Sequence, residues 1–139
     1  MTDRHVVVDH VLFVVSELDA SRRLFTACLA PLGIAELHVQ EDGVHYGRQG
    51  LDDFAIFRGD PPTRAAHLAF DAADRGSVDA FFEAALANGA GARGEPGVWR
   101  HYSDRYYAAF VDDLHGNNVE AVFHSPVAVD DAPTRSGVP

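Results

Sequence analysis

The chain has 139 residues, a formal charge of −10 at neutral pH and a single cysteine, Cys28. That length fits one compact domain, or two small modules sharing one core. The acidic balance argues against nucleic acid and anionic membrane surfaces as partners. One cysteine excludes an internal disulfide and a cysteine-based zinc cage, and the lack of any lysine excludes a Schiff-base lysine and a phosphate-loop lysine.

The opening "MTDRHVVVDHVLFVV" has no signal-peptide cleavage pattern, and Asp9 and His10 interrupt its apolar run. No apolar run approaches the ~20 residues of a membrane span. The expectation is a cytoplasmic protein. "VVDHVLFVV" reads as a strand on which His10 shares a face with Val8, Leu12 and Val14. A helix follows, capped by Asp19 or Ser21 and ended by Pro31 and Gly33. Cys28 sits among Leu24, Phe25 and Leu29 on its pattern, as a packed core thiol. Three extended runs come next, at 34–39, 43–49 and 53–58, separated by turn residues.

Residues 59–64 join this half to a second. "RAAHLAF" is a short apolar strand with His67 at its centre. Ala65, His67 and Ala69 share one face; Leu68 and Phe70 take the other. Val78, Phe81, Phe82, Ala85 and Leu86 then follow the stripe of a half-buried helix, which Asn88 and Gly89 stop. Extended runs recur at 92–98, 105–112 and 117–124. Residues 129–139 are polar and rich in Pro and Gly, the composition of a mobile tail.

The halves are copies. At an offset of 57 residues His10 falls on His67, Phe25 on Phe82, Ala27 on Ala84 and Leu29 on Leu86. The unit is βαβββ, an α+β arrangement, with modules at about 6–58 and 65–124 inside one domain spanning 1–128. In "NNVEAVFH", Glu120 shares a face with Asn118, Val122 and His124. A glutamate in an apolar strand needs a cation or a proton. His10 and His67 occupy equivalent positions, so a near two-fold axis brings them to one point. With Glu120 they form a 2-His-1-carboxylate set for a divalent ion with open positions. The counterpart of Glu120 falls within "FAIF", 54–57, which offers no ligand.

"WRHYSDRYY", 99–107, precedes the glutamate strand. It reads as a lid or wall. His101 or Tyr102 would transfer protons, Arg100 or Arg105 would attract an anionic substrate, and Tyr107 is a further substrate contact. Alternation separates Tyr107 and Ala109 from Tyr106, Ala108 and Phe110, without saying which face looks into the site. His5, His38, His45, His115 and His124 read as surface residues or neighbours of the site, with His45 and His124 the ones to watch.

"VDHVLFVV", "HLAF" before a helix, and "DDLHGNNVEAV" resemble the vicinal oxygen chelate superfamily, which includes glyoxalase I, fosfomycin-resistance thioltransferases, extradiol dioxygenases and bleomycin-resistance proteins. The resemblance covers about residues 6–124. Leu114 and His115 depart from the family's usual Pro-Asp in the last motif. The resemblance implies paired βαβββ modules in an open eight-stranded half-barrel sheet around a metal, with His10, His67 and Glu120 at ligand positions. It implies Fe2+, Mn2+, Ni2+ or Zn2+ as the ion, a small-molecule substrate with adjacent oxygens, and a homodimer. It leaves several activities open. Lactoylglutathione-lyase chemistry typically uses a fourth ligand, which "FAIF" lacks. Fosfomycin-type thiol transfer typically uses a lysine, which this chain lacks. Dioxygenase-like ring cleavage, with an assisting His and Tyr, fits His101 and the tyrosines better, although such enzymes are usually longer. A non-catalytic drug-sequestering protein of the bleomycin-resistance type is the other class, and the acidity suits a cationic drug.

Overall fold

A computed structural model describes residues 6–139; the first five residues, with His5 and the start of the expected domain, lie outside the described residues. Nine strands and two helices are present among them: β1 (Val11–Val15), α1 (Leu18–Leu29), β2 (Ala35–Val39), β3 (Gly43–Arg48), β4 (Leu51–Arg58), β5 (His67–Asp71), α2 (Arg75–Ala87), β6 (Gly91–Trp99), β7 (Tyr106–Asp112), β8 (Asn118–His124) and β9 (Thr134–Arg135). They form two open mixed sheets, ordered β1-β4-β3-β2 and β5-β8-β7-β6-β9. Strand for strand the first four positions match, and β1–β4 and β5–β8 are both parallel pairs. The βαβββ repeat is therefore real in space.

The helices end where local chemistry tells them to. Asp74 caps α2, its carboxylate accepting the Ser77 backbone N–H at 2.7 Å. At the other end the Asn88 side chain donates to the Ala84 carbonyl at 2.8 Å. For α1 the expected cap differs. The helix begins at Leu18, after Glu17, with no side-chain cap bond; Asp19 lies in its first turn and Ser21 is buried within it. Its exit runs through a short 3-10 turn, Ala30–Leu32, to Gly33 at φ +75°, a left-handed conformation that suits glycine.

The core lies on the helix side of both sheets. Phe54 is its centre, with ring centroids 5.3 Å from Phe13, 5.1 Å from Phe25 and 5.3 Å from Phe70. Phe70 belongs to the second module, so this contact joins the two halves. Leu68 and Phe70 turn to this core, which leaves His67, Ala69 and Asp71 on the opposite face of β5. The stretch 129–139, expected as a mobile tail, makes contacts at several points. Val129 is buried, Asp131 accepts from the two terminal guanidinium nitrogens of Arg75, and β9 pairs with β6. No described helix is long and apolar enough to cross a membrane.

Candidate functional site

Glu120 sits in the middle of β8 and is 2% exposed. The expected cost of burying a carboxylate is met by two donors. His67 Nε2 lies 2.8 Å from its Oε1, and the Tyr106 hydroxyl donates to its Oε2. The ladder explains the first contact. His67 pairs with Asn118, and Ala69 pairs with Glu120, so histidine and glutamate project from one face one diagonal step apart. Alanine at 69 leaves the room for the imidazole to reach across.

The same ladder identifies the repeat partner of Glu120. Leu12 pairs with Ala55 as Ala69 pairs with Glu120, so Ala55 is the equivalent residue in the first module. Its side chain carries no donor atom.

β7 settles which aromatic faces the site. Tyr106 takes the Glu120 face. Tyr107, expected as a substrate contact, points the other way: its hydroxyl donates to Asp79 on α2 at 2.6 Å, and the Arg75 guanidinium lies over its ring. Strand alternation makes the two mutually exclusive. Burial and the bond to Asp79 push the Tyr107 phenol up to about 12. Burial first, and the bond to Glu120 second, hold the Tyr106 phenol protonated well above its ordinary range. Tyr106 is thus the site residue that sequence reasoning could not pick out; its signal was present only as one of two alternating faces.

Around Tyr106 the aromatics form a continuous row. Tyr102 packs on it at a tilt with ring centroids 4.6 Å apart, His124 meets it edge-on at 5.3 Å, and His101 packs edge-on to Tyr102 at 5.2 Å. The expected His101 and Tyr102 therefore connect to Glu120 through Tyr106. Arg100 and Arg105 are tied elsewhere. Arg100 donates to the Val129 carbonyl and Thr134, and Arg105 donates to the Pro126 carbonyl at 2.8 Å.

His10 stands apart from the His67–Glu120 pair. β1 begins at Val11, so His10 precedes the strand rather than lying within it. Its pairing with β4 stops at Phe54, beside a bulge in the β3–β4 ladder, a feature that terminates regular pairing. The His10 side chain is 69% exposed and bonded to Asp9 at 2.8 Å, a contact that raises its pKa. It lines a cavity of about 340 Å³ with Leu12, His45, Asp52, Phe54 and Ala55. There His45 Nδ1 lies 3.0 Å from an Asp52 oxygen. No cluster of three or more His, Cys, Asp or Glu side chains suited to a metal occurs among the described residues.

His67 and Glu120 bring an imidazole nitrogen and a carboxylate oxygen together, donor types that divalent ions take. In this structure the two are joined by a hydrogen bond of 2.8 Å. Beside them Asn118, 6% exposed, carries the one buried side-chain oxygen that has no hydrogen-bond partner among the described residues.

No protein-family model and no curated protein sequence matches the chain. Solved structures do. A glyoxalase/bleomycin resistance protein from Albidiferax ferrireducens T118 is 29% identical, with a TM-score of 0.71 over 83% of this chain and 96% of that one. A glyoxalase/bleomycin resistance protein/dioxygenase family enzyme from Burkholderia phytofirmans PsJN gives a TM-score of 0.65 at 15% identity, over 84% and 98%. A glyoxalase/bleomycin resistance protein/dioxygenase from Alicyclobacillus acidocaldarius gives 0.60 at 16%, over 84% and 90%. The chain has the glyoxalase fold of these structures, in keeping with the vicinal oxygen chelate superfamily.

Proposed function

We propose that this chain is a metal-dependent enzyme acting on a small molecule with two adjacent oxygens, dioxygenase-like in its chemistry. The observation that carries the reading is the buried Glu120 carboxylate meeting His67 at 2.8 Å on an open sheet face. His67 and Glu120 would hold the ion, and His10 would be the third ligand. Because His10 lies apart from that pair, the reading takes it from a second copy. A symmetric homodimer would lay the first sheet of one copy over the second sheet of the other and complete two sites at once.

A bound Fe2+, Mn2+, Ni2+ or Zn2+ ion would supply Lewis acidity, and iron would add redox capacity. The protein's own part is orientation and proton handling. Glu120 and His67 fix one side of the site. Tyr102 and His101, in line with Tyr106, form an aromatic wall that would exclude water and exchange protons with the substrate. Ala55 leaves the repeat-related position without a ligand, which counts against lactoylglutathione-lyase chemistry. Arg100 and Arg105 each donate to a backbone carbonyl and the chain has no lysine, which counts against a fosfomycin-type transferase.

The test is to load metal-free protein anaerobically with Fe(II), add a panel of catechols and follow oxygen uptake. Uptake that needs substrate, His67 and Glu120 supports the proposal. Isomerisation of a thiohemiacetal, or thiol addition to an epoxide, under Ni(II) or Mn(II) moves the protein to the lyase or transferase branch. Silence in all assays with tight binding of a cationic aromatic drug favours a sequestering protein, which the charge of −10 and the partly exposed Tyr102 also suit. Sedimentation showing only a 15.1 kDa monomer at every concentration would remove the shared site.

A further inference from the structure

We propose that residues 129–135 form a strap that closes the free edge of the second sheet and fixes the loop at 100–105, and that this strap opens as one unit while the core stays folded. The inference does not depend on the metal reading.

Without β9, β6 would be the outer strand of its sheet. There Val98 donates its backbone N–H to the Pro133 carbonyl at 2.8 Å, and Trp99 pairs with Arg135. The Arg135 guanidinium donates to the Pro96 carbonyl at 2.9 and 3.1 Å. Gly97 makes this close approach possible. A Cβ at that position would come 2.6 Å from the Pro133 carbonyl oxygen and 2.8 Å from the Arg135 side chain.

The same segment grips the loop after β6 from both ends. Arg100 donates to the Val129 carbonyl and to the Thr134 hydroxyl, and the Val129 backbone N–H donates to the Asp104 carbonyl at 2.9 Å. His101 and Tyr102, the outer members of the aromatic row, lie between these grips. Asp131 anchors the middle of the strap to Arg75 at the start of α2. Thr134 holds Arg100 while its neighbour Pro133 holds Val98, so one cannot lift without the other.

These attachments release more easily than the core. Of residues 129–135 only Val129 is buried. The Arg75 and Asp131 side chains are 39% and 69% exposed, and exposed ion pairs contribute little. β7 and β8, by contrast, each carry five consecutive buried residues. A segment held by few buried apolar contacts opens at a lower free energy than the core.

Amide hydrogen exchange of the full-length protein, followed by NMR, tests this. In wild type the Val98 and Val129 amides are expected to share one opening equilibrium, with protection well below that of Val119 and Ala121 in β8. Gly97→Ala adds a methyl facing the strap and changes no strap or loop residue. It should lower protection about 10-fold at Val98, at Val129 and at Tyr102, whose N–H donates to the Trp99 carbonyl within the loop. Val119 and Ala121 should keep their wild-type protection. Asp131→Asn should act on the same three amides together, by about 2–5-fold. Trypsin gives a second readout: release of residues 136–139 by cleavage after Arg135 should speed up in Gly97→Ala by the factor seen at Val98. Wild-type Val98 or Val129 amides as protected as Ala121 overturn the proposal, because the strap then opens only with the whole fold. Unequal responses of Val98 and Val129 overturn the single unit, and an unchanged Tyr102 overturns the hold on the loop. If Gly97→Ala does not fold, the wild-type protection and Asp131→Asn decide by the same criteria.

Discussion

Replacing Asn118 with leucine should stabilise the metal-free protein. Asn118 is 6% exposed, pairs with His67 on the β5–β8 ladder, and holds a buried carboxamide oxygen with no donor among the described residues. A buried unpaired acceptor costs about 1–3 kcal/mol. Leucine is close in volume and removes that cost, and the crowding of its branched end offsets part of the gain. The expected result for Asn118→Leu is about 1–2 kcal/mol of added stability, a rise of roughly 3–8 °C in Tm for a domain of this size. Its neighbour supplies the contrast. Asn117 accepts from the Ala66 backbone and donates to the Thr63 carbonyl and to Asp113, all within 3.0 Å. Asn117→Leu should therefore be strongly destabilising. Urea unfolding of chelator-treated protein measures both. An Asn118→Leu protein no more stable than wild type would refute the reasoning, because the oxygen would then have a donor in solution.

Phe54→Ala removes the ring that joins three core aromatics across the module boundary and should cost about 3–5 kcal/mol in urea unfolding. The Arg22 guanidinium, bonded to Glu36 with Thr26 also donating, holds the Glu36 carboxyl below its ordinary value. Its stabilisation is present above the unfolded-state pKa and lost as pH falls through the folded one, so Glu36→Gln should flatten the acid limb of a stability–pH curve below about pH 4.5. Burial pushes the Cys28 thiol up to about 12. A chromogenic thiol reagent at pH 8 should label it only at the rate of unfolding, and rapid labelling of folded protein would contradict its place in the core.

Periodicity carried much of the architecture. The βαβββ repeat, both helices, and the shared face of His67 and Glu120's neighbours follow from side-chain alternation and the helical stripe, which are local properties. The same logic placed the counterpart of Glu120 within "FAIF", and pairing narrowed it to Ala55, which has no donor side chain. What a strand pattern leaves open is which of its two faces a second element covers. That is why Tyr106 and Tyr107 were indistinguishable until α2, with Asp79, was seen to occupy one side of β7. Asn117 and Asn118 differ for the same reason: one falls in a turn docked on the chain at Thr63 and Ala66, and the other lies beneath His67. The short β9 and the Arg75–Asp131 bond were invisible because pairings distant in sequence leave no local signature. His10 shows the limit most clearly. Its repeat position was readable from the chain, but its separation from His67 and Glu120 depends on where β1 leaves the ladder and how the two sheets face, which only tertiary packing decides.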